Sequence, residues 1–149
     1  MPEGNTVRLH RVFKAPAERI YKAFIDPDAM AKWLPPYGFT GKVHSMDAKV
    51  GGSYKMSFTN FSTGNGHTFG GTFLELVPNE RIRHTDKFES PELPGEMTTT
   101  IVLKTVSCGT EVSIEQAGVP EMIPVEGCYL GWQESLMQLA VLVDPEIPD

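Results

Sequence analysis

The sequence is poor in the residues that mark several protein classes. It contains only two cysteines, Cys108 and Cys128, and neither belongs to a CxxC motif or a cysteine–histidine ligand pattern. This usage favours reduced thiols over a disulfide and predicts a cytoplasmic protein. No apolar run approaches the ~20 residues of a bilayer-spanning helix. The segment Met1–Thr6 is polar, so it does not form the hydrophobic core of a secretion signal. We therefore expect no membrane insertion.

Basic residues and motifs for metals or cofactors are also scarce. The chain has 13 Lys and Arg against 19 Asp and Glu, which gives a net charge of -6 without any basic cluster. Such a surface repels nucleic acid, so we expect no nucleic-acid partner. His10, His44, His67 and His84 show no metal-ligand spacing, and no phosphate-binding or nucleophile-elbow motif occurs. We expect no metal and no cofactor.

What the chain does contain is a regular alternation of apolar and polar residues. With 149 residues, it has the length of one domain, which we place at 1–149. The alternating stretches, separated by turn residues, predict strands. They are Thr6–Lys14, Thr40–Met46, Ser53–Phe61, His67–Val77, Arg81–Phe88, Met97–Val106 and Thr110–Gln116. Short connections between them predict an antiparallel meander.

Three helices are predicted from end signals and periodicity. Pro16 is placed to occupy the first helical position of one helix, and Asp26 with Pro27 to start a second short helix. Apolar residues three and four apart predict a long C-terminal helix from about Pro124 to Val143. Its predicted buried face consists of Val125, Tyr129, Trp132, Leu136, Leu139 and Val143. This helix is the only element large enough to cover one face of the sheet, which predicts an α+β fold.

The ordered motifs of the chain resemble a known family. They are Arg11–Glu18 with Tyr21, Ala23–Asp28, Trp33–Pro36, Gly51–Tyr54, Gly71–Ile82, Gly109-Thr110 and Gly131-Trp132. Their combination resembles the activator of heat-shock-protein-90 ATPase homologue-like branch of the SRPBCC, or START-like, superfamily. The resemblance implies a helix-grip fold, in which a curved antiparallel sheet of six to seven strands wraps around the C-terminal helix, with two short helices after the first strand. It implies a ligand carrier, a cyclase or a co-chaperone, without a shared catalytic signature.

A curled sheet around one helix leaves a gap that can hold a small hydrophobic molecule. We therefore predict a binding module rather than an enzyme, with an internal cavity. The predicted ligand-binding residues are Trp33, Leu34, Phe39, Tyr54, Met56, Phe58, Phe73, His84, Asp86, Gln116, Tyr129, Trp132 and Leu136. Phe69 is expected on the same inner face. Trp33, Leu34 and Phe39 flank Pro35-Pro36 as a lid, with ordinary core packing as the alternative.

The polar residues among them leave alternatives open. His84, Asp86 and Gln116 either bind a ligand head group, satisfy one another, or turn to solvent at a bulge. A catalytic His84–Asp86 pair is disfavoured, because residues two apart on a strand are separated by ~6.5–7 Å at the backbone. Arg11 could grip an anionic ligand or pair with a carboxylate. Met30, Met46, Met56, Met97, Met122 and Met137 are either an adaptable pocket lining or core filling.

Two other functions remain alternatives to ligand binding. A cyclase-like or hydrolytic enzyme would bring His84, Asp86 or Tyr54 together in one cavity. A co-chaperone or stress-related interaction domain would instead expose a large apolar patch. A homodimer is left open by the exposed strand edges of the predicted sheet.

Overall fold

The computed structural model describes residues 5–148, so the part of the N-terminal prediction that concerns Met1–Gly4 lies outside the described residues. The elements are β1 (Val7–Phe13), α1 (Ala17–Ile25), α2 (Pro27–Trp33), β2 (Phe39–Met46), β3 (Ser53–Asn60), β4 (Gly66–Val77), β5 (Arg81–Phe88), β6 (Met97–Val106), β7 (Gly109–Ala117) and α3 (Val125–Val143). Each predicted strand is present, with ends that differ by one residue at most. The predicted order of strand, two short helices, six strands and long helix is confirmed.

The seven strands form a single curled antiparallel sheet in the order β1-β7-β6-β5-β4-β3-β2. From β2 to β7, each strand is hydrogen-bonded to its successor in the chain, as expected of a meander joined by tight turns. β1 instead pairs with β7, in a register that runs from Val7 opposite Gln116 to Phe13 opposite Thr110. The predicted α+β helix-grip fold is confirmed.

The two short helices follow the local signals in the sequence, with one correction. The Asp26 carboxylate accepts hydrogen bonds from the backbone nitrogens of Asp28 (2.9 Å) and Ala29 (3.1 Å), so it caps α2 as predicted. Pro16 was expected inside the first turn of α1, and this placement is wrong. Its ψ of 155° is extended, and it lies at the N-cap, where its carbonyl accepts the first helical hydrogen bonds.

Helix α3 lies across the inner face of the sheet, but only its second half is buried as predicted. Leu136, Leu139 and Val143 are at most 2% exposed and pack in the main core. The expectation that Tyr129 shares this buried face is wrong, since Tyr129 is 39% exposed. Tyr129 lies at the β1 edge of the sheet beside Val7 and Val125. Residues three apart on a helix differ by about 60° in direction, so Tyr129 and Trp132 lie on opposite margins of one stripe.

The end of α3 is fixed to the junction between β1 and α1. The Asp144 carboxylate accepts hydrogen bonds from the backbone nitrogens of Lys14 (3.1 Å) and Ala15 (3.2 Å). The guanidinium of Arg19 donates to the Val143 carbonyl at 2.6 Å, which satisfies one of the free carbonyls at the helix end. These contacts hold α3 against the sheet at one end and leave its first half to close the other end of the fold.

Candidate functional site

A partly open cavity of about 180 Å³ lies between the inner face of the sheet, helix α2 and the first half of α3. Eight of the predicted ligand-binding residues line it together: Trp33, Leu34, Tyr54, Phe58, His84, Asp86, Gln116 and Trp132. Most of the wall is apolar and aromatic, including Phe69 and Phe88. Binding sites for small molecules typically combine such a wall with a few polar groups.

The other five predicted residues do not line this cavity. Met56, Phe73 and Leu136 are at most 2% exposed and belong to the solid core behind it. Phe39 lies on the edge strand β2, with its ring centroid 6.5 Å from that of Phe58. Tyr129 lies outside, at the β1 edge. Alternation predicts the face of a strand on which a residue lies, but it does not predict where the core ends and the cavity begins.

Sequence reasoning missed several lining residues, although a signal for them existed. Cys128, Gly131 and Ser135 line the cavity with Trp132, and their spacing of three and four places them on one helical face. Because these three residues are small, they leave room beside the large indole. Thr99 lies on the same face of β6 as the buried Met97 and Ile101. It stands within a run of three threonines, so the alternation of apolar and polar residues does not reveal it.

The polar end of the cavity is one connected hydrogen-bond network. The indole nitrogen of Trp132 donates to Gln116 Oε1 at 3.1 Å, and Gln116 Nε2 donates to Thr99 Oγ1 at 3.2 Å. The Thr99 hydroxyl donates to Asp86 Oδ2, and the Tyr54 hydroxyl donates to Asp86 Oδ1. The network thus joins α3 to four strands, β7, β6, β5 and β3.

His84 and Asp86 are in direct contact, with 3.1 Å between Nδ1 and Oδ1. The expectation that two residues on one strand are too far apart to bond is wrong, because both side chains lean toward each other from β5. Asp86 accepts hydrogen bonds at both oxygens, from Thr99 on the adjacent strand β6 and from Tyr54 on β3, which stabilises its charged form. The alternative in which the predicted polar residues satisfy one another therefore holds for His84 and Asp86, whereas Gln116 bonds Thr99 and Trp132 instead.

The ionisation of this network follows from burial and mutual attraction. Burial lowers the pKa of His84, but the Asp86 charge and the hydrogen bonds outweigh it, so the pKa lies above its usual value. Burial raises the pKa of Asp86, but attraction to His84 and the hydrogen bonds from Thr99 and Tyr54 bring it below its usual value. Burial and the adjacent Asp86 raise the Tyr54 pKa well above its usual range. At neutral pH, Tyr54 is therefore a hydrogen-bond donor beside an ion pair.

Nε2 of His84 and the second amide hydrogen of Gln116 retain unused hydrogen-bonding capacity at the polar end of the cavity. The His84 ring lines the cavity and forms its hydrogen bonds through Nδ1, to Asp86 and to the Thr85 carbonyl (3.3 Å). Among residues 5–148, no hydrogen bond reaches its Nε2. His84 and Gln116 are therefore the parts of the network that can contact a ligand.

Arg11 lies apart from this site. Its guanidinium carbon is 5.5 Å from the Phe13 ring centroid, and its Nε is buried without a hydrogen-bond partner in the described part of the chain. It does not line the cavity, so a ligand inside the cavity would not meet this cation.

The methionines are divided between several environments. Met30 and Met97 line the cavity and Met56 lies in the core, whereas Met122 is 63% and Met137 48% exposed. The expectation of a shared methionine lining therefore holds for two positions only.

The predicted lid is held against α3 by hydrogen bonds. Gln138 Nε2 donates to the carbonyls of Trp33 (2.9 Å) and Pro35 (2.6 Å). The Ser135 hydroxyl donates to the Leu34 carbonyl, and the Tyr37 backbone nitrogen donates to Glu134 at 3.1 Å. Satisfied carbonyls at the end of α2 explain why this turn packs closely on α3.

The described residues show neither a metal site nor a membrane-spanning helix. Within residues 5–148, no group of three or more His, Cys, Asp or Glu side chains is arranged to hold a metal ion. In the same residues, none of the helices combines the length and apolarity that crossing a bilayer requires. Cys108 and Cys128 are both free thiols.

Comparisons with known proteins agree with this architecture. Residues 14–144 match the family model described as "Activator of Hsp90 ATPase homolog 1-like protein". A crystal structure of a protein from Chromobacterium violaceum is 61% identical, with a TM-score of 0.95 over 96% of this chain and 99% of that one. No curated protein matches.

More distant solved structures share the fold alone. A protein from Nitrosomonas europaea is 23% identical, with a TM-score of 0.79 over 95% of this chain and 96% of that one. A protein from Rhodobacter sphaeroides is 21% identical, with a TM-score of 0.81 over 95% of this chain and 94% of that one.

Proposed function

The chain belongs to the Activator of Hsp90 ATPase homolog 1-like family, and from this membership we propose that it is a binding module for a small hydrophobic or amphipathic molecule. The family suggests a ligand-binding or a chaperone-related role. The observation that favours ligand binding is the aromatic cavity of about 180 Å³ with one polar end. A dry apolar cavity of ~150 Å³ is large enough to bind benzene. The ligand, or the part of it that enters, therefore has about the size of one substituted aromatic ring.

Two glycines of α3 provide a matched test. Gly131 lines the cavity and Gly127 does not, and a Cβ added at either meets no atom within 4 Å. We expect Gly131→Leu to fill the cavity and abolish binding of aromatic and short lipid probes, whereas Gly127→Leu retains it. The measurement is saturable binding by NMR titration. Failure of every probe to bind the wild-type protein, or equal binding by the Gly131 variant, would contradict the proposal.

Native mass spectrometry of the purified protein complements this titration. We expect a bound hydrophobic molecule in the wild-type protein and its loss in Gly131→Leu. The same spectrum reports the oligomeric state, and so tests whether the chain forms a homodimer.

A cyclase-like enzyme is the second candidate, and the 3.1 Å contact between His84 and Asp86 favours it. An imidazole oriented by a carboxylate is a common general acid–base pair. A small 1,5-diketone such as heptane-2,6-dione tests this role, because its aldol cyclisation needs only proton transfer and loss of water. An enzyme would accelerate cyclisation, and His84→Phe would abolish turnover. Binding without turnover would leave the non-catalytic module as the function.

A further inference from the structure

We propose that the polar end of the cavity selects ligands with an uncharged hydrogen-bond acceptor, such as a ketone or ester carbonyl, over matched hydrocarbons and carboxylates. The inference rests on the proposed function and specifies the ligand's head group. Two observations carry it: the donors that the network leaves unused, and the balance of charge around the cavity.

The unused groups at the polar end are donors. Tyr54, Thr99 and Trp132 each donate their only polar side-chain hydrogen within the network. Trp132 donates to the Gln116 oxygen, which fixes the orientation of that amide. What remains is the Nε2 hydrogen of protonated His84 and the second amide hydrogen of Gln116. Because a donor that a ligand covers without accepting its hydrogen bond costs free energy, a ligand that accepts a hydrogen bond there is favoured over one that does not.

The ionised side chains that line the cavity neutralise one another, so the cavity has no net charge before a ligand binds. Protonated His84 and ionised Asp86 form a neutral pair at 3.1 Å. Burial lowers the pKa of His67 and raises that of Cys128, so both are uncharged at neutral pH, as is Tyr54. A carboxylate would bring an unpaired negative charge into an apolar space beside Asp86, and a buried charge of this kind is costly. The neutral carbonyl meets the same donor without that cost.

Three probes of similar size separate these possibilities: ethylbenzene, acetophenone and benzoate. Their dissociation constants are measured by NMR titration of the wild-type protein and of His84→Phe, which removes the ring donor but retains an aromatic side chain. The affinity of acetophenone relative to ethylbenzene should fall about tenfold in this variant, a change of about 1.4 kcal/mol. Benzoate should bind the wild-type protein more weakly than acetophenone does.

Phe69→Leu is the control variant, because Phe69 lines the apolar wall and takes no part in the network. It should weaken acetophenone and ethylbenzene alike and leave their ratio within about twofold, since it removes only apolar contact. An unchanged ratio in His84→Phe would overturn the head-group selection while leaving the cavity as a binding site. Absence of binding of acetophenone and ethylbenzene to the wild-type protein would overturn the proposed function as well.

A second measurement needs no substitution. As the pH rises through the pKa of His84, the ring keeps its Nδ1 hydrogen toward Asp86 and Nε2 becomes an acceptor. Acetophenone binding should then weaken, ethylbenzene binding should stay constant, and 1-phenylethanol, whose hydroxyl can donate to Nε2, should keep its affinity. Parallel pH curves for acetophenone and ethylbenzene would contradict the assignment of His84 as the donor.

Discussion

Replacing Asp86 by asparagine removes one charge of the buried ion pair and keeps nearly the same shape. The side chains of His84 and Asp86 are only 14% and 8% exposed, so solvent screens their attraction weakly. Breaking a buried pair by removing one partner costs about 3–5 kcal/mol. We expect about 3 kcal/mol for Asp86→Asn, because the new amide oxygen can still accept from Tyr54 or Thr99.

The cost should depend on pH in a defined direction. The pKa of His84 is raised in the folded protein. Its contribution to the free energy of unfolding is therefore complete below the pKa of the unfolded chain, about 6.5, and is lost as the pH rises through the folded pKa. The pKa of Asp86 is lowered in the folded protein. Its contribution to the free energy of unfolding is therefore present above the pKa of the unfolded chain, about 3.9, and is lost as the pH falls through the folded pKa. Without Asp86, burial lowers the pKa of His84 and is opposed only by the hydrogen bond to the Thr85 carbonyl, which is the smaller effect. The cost of the substitution should therefore be largest near pH 5–6 and decrease toward pH 9.

Urea unfolding of both proteins at several pH values measures this difference, since contributions from other groups cancel in it. The matched control is Glu89→Gln, which breaks an exposed pair of 2.8 Å between Lys55 and Glu89 whose side chains are 49% and 54% exposed. That change should cost less than about 1 kcal/mol, without a trend between pH 6 and 9. A cost below about 1 kcal/mol for Asp86→Asn, or one that grows over this range, would refute the assignment of a buried ion pair.

Three further predictions concern the stability of the fold, each measured by urea unfolding. Leu139→Ala should lower the free energy of unfolding by about 2–5 kcal/mol, because Leu139 is fully buried in the core. Met137 is on the exposed side of α3, so Met137→Ala should change it by less than about 0.5 kcal/mol. Gly127→Ala should stabilise α3 by about 0.5–1 kcal/mol, whereas Gly71→Ala should prevent normal folding because a Cβ there overlaps a backbone carbonyl of β5. Gln138→Ala should lower the free energy of unfolding by about 1–3 kcal/mol, because the carbonyls of Trp33 and Pro35 lose their hydrogen-bond donor. An unchanged stability would contradict the role of Gln138 in holding the end of α2 against α3.

The elements of this fold could be predicted from the sequence because local rules determine them. Asp26 and Pro27 specify the start of α2 without reference to the rest of the chain, and alternation specifies each strand to within one residue. The order of the strands from β2 to β7 followed from the short connections between them, whereas the pairing of β1 with β7 did not. These features depend on residues close together in the chain, where spacing carries the information.

The candidate site was less predictable, because it depends on side-chain directions between elements. Helical periodicity placed Tyr129 and Trp132 in one stripe, but docking on the sheet turned only Trp132 into the cavity. The bond between His84 and Asp86 depends on how two side chains lean, which backbone spacing does not determine. Thr99 belongs to the site because its hydroxyl donates to Asp86 on the adjacent strand β5. This contact cannot be predicted from the spacing of residues in the sequence.

The pairing of β1 with β7 has a consequence for how the chain folds as it leaves the ribosome. The strands from β2 to β7 can assemble in the order in which they are made, because each pairs with its predecessor. β1 is synthesised before the other six strands and must wait for β7. More than a hundred residues separate the paired residues Val7 and Gln116. Such distant pairing slows folding. The hydrophobic interior is closed only when α3, which follows all seven strands in the chain, reaches the sheet. Nascent chains that stall before α3 should therefore need protection from aggregation.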